Sequence, residues 1–142
     1  MTTLAANQPR TYVQGTTEHY PVIAADIIFE GSAVGENGSG YSRPLAAADP
    51  FQGFALEKVD NSAGAAGDLR VPVRTKGRIV VDVVGASAIT ANDRPAVYAS
   101  DDDTFTLTST SNSLIGYVSQ WNSGTECVVE FDAVLVKAAL QA

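Results

Sequence analysis

Few residues in this chain are of a type that does chemistry, and their spacing keeps them apart. There is one histidine, His19, and one cysteine, Cys127. Covalent catalysis needs a nucleophile, a base beside it and donors aimed at the developing charge. His19 falls in a stretch with neither helical nor strand periodicity, so no Ser/His/Asp or Cys/His set assembles around it. Cys127 belongs to the apolar side of an alternating run with Val129 and Phe131, where a thiol is a small core filler. A reactive cysteine needs an electropositive, partly exposed setting. Asp101-Asp102-Asp103 is the one acidic run. A calcium loop spaces its ligands and carries a glycine at the turn, whereas three consecutive carboxylates between two strands read as a solvated hairpin tip. The glycine-rich stretch 35–40 has no Lys-Ser/Thr pair and no helix after it, both of which a phosphate loop requires. The residues therefore predict no catalytic group, no metal site and no cofactor: a binding or structural protein, not an enzyme.

Bulk properties narrow the field further. The chain has 142 residues and a formal net charge of −7. That length suits one domain, or one domain with an attached segment. Nucleic-acid binders need a basic surface to neutralise phosphates, so the acidic balance argues against such a partner. The longest strongly apolar stretch, Ile79–Val84, is interrupted by Asp82 and is too short to cross a bilayer. No membrane partner is expected. The start of the chain shows no secretory signal, and one cysteine cannot form an internal bridge. Both features predict assembly in a reducing cytoplasm.

The elements that would carry any function divide at about residue 25. Residues 1–25 contain Pro9, Gly15 and Pro21, and Arg10 balances Glu18, so the whole excess charge lies in 26–142. This division predicts an extended N-terminal arm over 1–25 and a β domain over 26–142. Within the arm, Pro9, Arg10, Thr11, Tyr12, Val13 and Gln14 are the candidate contact residues. Strand formers bounded by Pro9 and Gly15 suit the addition of a short strand to a partner's sheet edge.

From Asp26 onward the pattern is β throughout, with strands predicted over 27–34, 41–45, 51–59, 69–76, 78–84, 95–100, 104–108, 113–121 and 126–136. Turn clusters such as Asn61-Ser62-Ala63-Gly64 separate them. Short strands at this spacing, without an amphipathic helix, predict an all-β fold: a small, β-tulip-like barrel or sandwich. The pattern also repeats. Ala33-Val34 leads to Phe51-Gln52-Gly53-Phe54-Ala55, and Ala96-Val97 leads to Leu114-Ile115-Gly116-Tyr117-Val118. The step from alanine to strand glycine is 20 residues in both. A glycine within a strand marks a bulge or a close backbone approach, so the same bend is expected twice. Two surface features are candidate interfaces. Arg70, Arg74, Lys76 and Arg78 share parity, opposite Leu69, Val71, Val73 and Thr75, on one predicted strand face. Trp121 is expected on the face of Tyr117, beside the Asn122-Ser123-Gly124 turn.

The second half carries a resemblance. Ile89-Thr90-Ala91-Asn92-Asp93 precedes the apolar Ala96-Val97-Tyr98. Leu114-Ile115-Gly116-Tyr117-Val118 and the alternating Cys127-Val128-Val129-Glu130-Phe131 follow. Over roughly residues 50–136 this succession resembles the small capsid decoration (cement) proteins of tailed bacteriophages. There, I-T-x-(G/N)-D precedes an apolar strand, an (L/I)-G-x-(A/V) strand follows and an alternating strand closes. Asn92 stands where glycine is usual; asparagine also visits the left-handed region. The resemblance implies a homotrimer on the outer surface of the virion, made in the host cytoplasm. It would sit at threefold and quasi-threefold positions and staple neighbouring copies of the major capsid protein with its arms. Two other readings of a β domain without chemistry stay open: a phage tail-tip or host-recognition module, and a carbohydrate-binding adhesive module.

Overall fold

Alternating apolar and polar residues make a two-faced strand. The computed structural model, which describes residues 5–9, 15–89 and 93–141, consists very largely of such strands. In chain order they are β1 (Thr17–Pro21), β2 (Ile27–Ile28), β3 (Ala33–Glu36), β4 (Ser42–Pro44), β5 (Phe51–Ala55), β6 (Val59–Asp60), β7 (Arg70–Arg74), β8 (Lys76–Val84), β9 (Ala96–Ala99), β10 (Phe105–Thr106), β11 (Ser113–Ser123) and β12 (Glu126–Asp132). Helix α1 (Ala133–Gln141) follows. One sheet runs β1-β7-β5-β3-β4, a closed barrel runs β10-β8-β12-β11-β9, and β2 pairs with β6. The all-β barrel expectation is met.

The two halves fold alike. Strand β3 pairs with β4 and β5 as β9 pairs with β10 and β11. Strands β5 and β11 continue to β7 and β12, and these to β1 and β8. Registers coincide as well. Val34 faces Gly53, Val97 faces Gly116, and a bulge beside each leaves Gln52 and Ile115 without a cross-strand partner there. Hydrogen bonds outside the ladders repeat: Ala55 N to Ser32 O and Val118 N to Pro95 O, both 2.9 Å, and Asn37 N to Tyr41 O and Ser100 N to Thr104 O, both 3.0 Å. The second half closes through parallel pairing of β8 with β10, Val83 opposite Phe105. In the first half that closure shrinks to one parallel bridge, Val22 to Ser42. The chain is thus a tandem of one complete small barrel and one barely closed one.

The cores match in the same way. Val22, Val34, Val71 and Val73 fill the first unit, and Val83, Val97, Cys127 and Val129 the second; all have no exposed surface. Burying an aliphatic side chain of this size contributes roughly 1.5–3 kcal/mol, and β-branched valine suits the pleat. Aromatic rings join the units. Phe54 meets Phe131 edge-on at 4.8 Å and Phe105 at 5.8 Å, and Phe51 meets Phe131 at 6.2 Å. Helix α1 lies over the seam, packed on β5 and β11.

Several expected boundaries move. Residues 17–25 are not arm: β1 pairs along its whole length with β7, and Val22 is completely buried. Tyr20 and Ile23 pack against that same core, an anchoring that polar neighbours disguise in the sequence. The strand expected over 27–34 is broken by a turn at Gly31, where φ is +86°, and that over 51–59 stops at Ala55. The last strand ends at Asp132, whose Oδ1 accepts hydrogen bonds from Val134 N (3.0 Å) and Leu135 N (3.1 Å). That is an N-cap, and it starts the helix that strand alternation concealed. Ala133 and Val136 turn inward and Leu135 is 66% exposed, whereas strand alternation continued to residue 136 puts Leu135 on the apolar face of Cys127, Val129 and Phe131.

The repeated glycines have one cause. A Cβ on Gly53 would overlap the Arg74 carbonyl oxygen and lie 2.9 Å from its carbon; on Gly116 it would overlap the Glu130 oxygen and lie 2.9 Å from that carbon. Gly53 also has φ +130°, a region side chains avoid. Gly53→Ala and Gly116→Ala should each cost about 3 kcal/mol, within the range for overpacking and backbone strain. Gly15→Ala, with open space around it, should be neutral. Urea midpoints of the three variants check this, and wild-type midpoints for the first two would refute the shared bend.

Candidate functional site

Among the described residues, exposed cations outside any ion pair are the first feature of the surface. Arg43 and Asp49 form the one ion pair within 4.0 Å among the described residues, Nε to Oδ2 at 2.9 Å and Nη2 to Oδ1 at 2.7 Å. That pair is structural: Asp49 is buried and also accepts from Ala46 N at 3.0 Å. Hydrogen bonding to Asp49 holds the Arg43 guanidinium above its ordinary pKa.

The four predicted basic residues do project outward, since Arg70, Arg74, Lys76 and Arg78 are all exposed while Val71, Val73 and Thr75 are buried. They do not share one strand, however. The chain passes from the first unit to the second at Thr75, whose N–H bonds Thr16 O at 2.9 Å and whose carbonyl accepts from Ala133 N at 2.8 Å. Arg70 stays with the first sheet and donates to His19 O at 3.0 Å. Leu69 is 43% exposed rather than inward. Arg74, Lys76 and Arg78 gather at a groove of about 400 Å³, floored by Gly116, Phe131 and Val136 and edged by Tyr117 and Leu135. Arg74 Nε donates to Lys76 O at 3.3 Å, and Arg78 Nη2 reaches Ser119 Oγ at 2.8 Å. The Tyr117 hydroxyl donates to Glu130, and that bond, with some burial, raises its pKa.

Trp121 is not part of this groove and does not share a face with Tyr117. A register shift between Val118 and Gln120 reverses the parity of β11, so that Trp121 lies opposite inward-facing Cys127. The indole packs against the core and donates Nε1 to Gly124 O at 2.9 Å. Of the arm residues, Pro9 is exposed, while Arg10, Thr11, Tyr12, Val13 and Gln14 lie outside the described residues. His19 sits exposed on β1 opposite Pro72, not on an arm. Leu135, at the groove's edge, was missed by sequence reading because it lies beyond the unrecognised cap.

Two other candidates resolve into structural roles. Asp101–Asp103 forms the tip of the β9–β10 hairpin, with Asp101 Oδ1 accepting from Asp103 N at 2.9 Å and Oδ2 from Thr104 Oγ1 at 3.0 Å. Asp102 O accepts from Ala33 N at 2.9 Å, tying the tip to the first unit. Burial, then the like charges of Asp101 and Asp103, raise the Asp102 carboxyl pKa. Cys127 is fully buried, and burial, followed by Asp82 and Glu126, pushes its thiol up. Both effects disfavour the reactive thiolate.

Cys127→Val, which installs the valine found at its counterpart Val71, should change stability by no more than about 1 kcal/mol. The wild-type thiol should resist alkylation until the chain is unfolded. Rapid labelling of the native protein would contradict its burial. For Asp102 the sign is set by linkage. A folded-state pKa above the unfolded value means that its favourable contribution is full below the unfolded value. It declines as pH rises through the folded value. Asp102→Asn should therefore melt higher than wild type at about pH 7, with the gap closing towards about pH 3. A constant gap across a melting series would refute the assignment.

No protein-family model, no curated protein and no solved structure matches this chain.

Proposed function

We propose that the protein is a capsid decoration (cement) protein of a tailed bacteriophage. It binds the outside of the assembled head as a homotrimer at threefold and quasi-threefold positions, with the major capsid protein as its partner. The observation that carries the reading is the groove of Arg74, Lys76 and Arg78. Three cations and the carboxylates of Glu130 and Asp132, with no ion pair among these described residues, border apolar surface on a chain of net charge −7. Apolar surface rimmed by charge suits another folded protein better than a small polar ligand. The sequence succession over residues 50–136 supports the same reading. Each subunit needs only modest contacts, because a trimer that engages several capsid subunits gains through effective concentration. Preference for the assembled shell over free subunits then stabilises the shell by mass action.

The structure relocates the test of the arm. Removing residues 1–20 would delete most of β1, so the informative cut falls before Thr16, whose carbonyl holds Thr75 N. A variant lacking residues 1–15 should keep its circular dichroism spectrum and its oligomeric state, yet occupy heads that lack the native protein at least about tenfold more weakly. A tenfold loss corresponds to about 1.4 kcal/mol of binding. A variant lacking residues 1–23 should fail to fold, because it loses Val22. Electron microscopy of heads incubated with each protein reads occupancy. Full-length protein that leaves such heads bare while binding a glycan array or host cells would overturn the proposal in favour of an adhesive or host-recognition module.

A further inference from the structure

We propose that the free edge of β8 pairs with the same edge of a second copy of this chain, antiparallel and centred on Val80, joining two barrels in one continuous sheet. Residues along an antiparallel ladder alternate between hydrogen-bonded and non-hydrogen-bonded pairs. Val83 N bonds Thr125 O at 2.9 Å and Ala133 N bonds Thr75 O at 2.8 Å, both continuing the β8–β12 register. Odd-numbered residues of β8 therefore direct their backbone polar groups at β12. Even-numbered ones point the other way, as Val84 O does in accepting from Leu107 N at 3.2 Å. On that side β10 covers only Val83 and Val84. Among the described residues, no strand pairs with the outer edge of Arg78, Val80 and Asp82.

The side chains along this edge suit a strand better than solvent. Val80 is 57% exposed, and Ile79 and Val81 are only half-buried although they pack against the core. Unpaired backbone groups beside β-branched residues are a template for another strand. Charged residues on an edge ordinarily block such pairing, but here they select one register. Placing Val80 opposite its own counterpart sets Arg78 of each copy against Asp82 of the other. Ile79 and Val81 then cover each other on the inner face. Even-numbered residues meet even-numbered ones, so the free N–H and C=O groups find partners. A parallel pairing in register would oppose like charges. A one-residue slip would turn the charged side chains to the wrong face. A two-residue slip would need Val84, which β10 already holds, or Gly77, whose φ of +152° departs from an extended strand.

The charges on β12 fit the same order. Asp82 stands opposite Glu126, and like charges directly opposed across strands are destabilising. Among the described residues the donors to this pair are neutral: Thr125 Oγ1 to Asp82 at 3.3 Å and Asn122 Nδ2 to Glu126 at 3.2 Å. Arg78 stands opposite Glu130, whose carboxylate also takes the Tyr117 hydroxyl. Across the joined sheet one row is thus Glu130, Arg78, then Asp82 and Glu126 of the other copy. Each Arg78 lies between two carboxylates, and each Asp82 gains a cation. The guanidinium donates to Ser119 Oγ at 2.8 Å and has further N–H groups to spare. Glu130 and the other copy's Glu126 are three strand spacings apart, about 14 Å. Such a contact is isologous and closes with two copies. It is argued from the chain alone and does not depend on the function proposed above.

Cross-linking and charge exchange test it. Val80→Cys in a Cys127→Val background should form a covalent dimer under mild oxidation at least about tenfold faster than Val128→Cys in the same background. Hydrogen-bonded partners have Cα atoms about 5.5 Å apart, within reach of a disulfide, whereas Val128 lies one strand further in on each copy. In sedimentation, Asp82→Arg and Arg78→Asp should each weaken self-association at least about tenfold. An equimolar mixture of the two should recover it, because every charge on one then meets its opposite on the other. Val80→Pro removes a donor at the free edge, where proline is tolerated; it should keep the wild-type circular dichroism spectrum yet lose association. Equal cross-linking at positions 80 and 128, or a mixture that associates no better than its components, would overturn the proposal. So would association that survives both charge variants but disappears on removal of residues 1–15, which would make the N-terminal segment the occupant.

Discussion

Each unit of this fold depends on two backbones coming closer than any side chain allows. At Gly53 the chain meets the carbonyl of Arg74, and at Gly116 that of Glu130. Beside each glycine a bulge sharpens the bend and leaves one residue unpaired. A five-stranded sheet closes on itself only if its strands coil strongly, and the bulge with its glycine provides that coil. The valine interiors, the placement of the hairpins and the outward parity of the basic residues all follow from this closure. Loss of either glycine would uncouple a strand from the one that completes its barrel.

The two units have drifted apart in instructive ways. The closing parallel pair of the second unit survives in the first as the Val22–Ser42 bridge alone. Phe54 is buried against Phe131, whereas its counterpart Tyr117 sits at the surface with its hydroxyl on Glu130. The first copy has become the wall on which the second packs, and the second has kept an outer surface free.

Much of this was legible in the sequence because strand physics is local. Alternation located Val71, Val73, Cys127, Val129 and Phe131 inside, and the paired glycines announced a duplicated bend. The failures share another origin. Strand β1 looked like an arm because its burial depends on β7, some fifty residues further along the chain, and nothing near Val22 signals that pairing. The helix after Asp132 was hidden because Ala133, Leu135 and their neighbours alternate as well as they spiral; only the carboxylate cap decides between the two. Trp121 was misplaced by a bulge, which reverses parity without leaving a mark on composition. The groove itself was half legible: its cations were visible, but their division between two strands at Thr75 and the arrival of Leu135 are tertiary facts.

The position of α1 bears on when the molecule becomes itself during synthesis. The strands of both units precede the helix: the first unit's sheet is complete in chain order at β7, and the second unit's closed barrel at β12. The seam between them is different. It is covered by Ala133 and Val136, which follow every strand in chain order. The strand pairing of the two units can therefore complete in sequence, while the core they share, in which Phe51 and Phe54 pack with Phe105 and Phe131, is finished last. A nascent chain would carry both sets of paired strands with an open aromatic seam before the helix covers it. Apolar surface transiently open at such a stage invites misassembly with neighbouring chains.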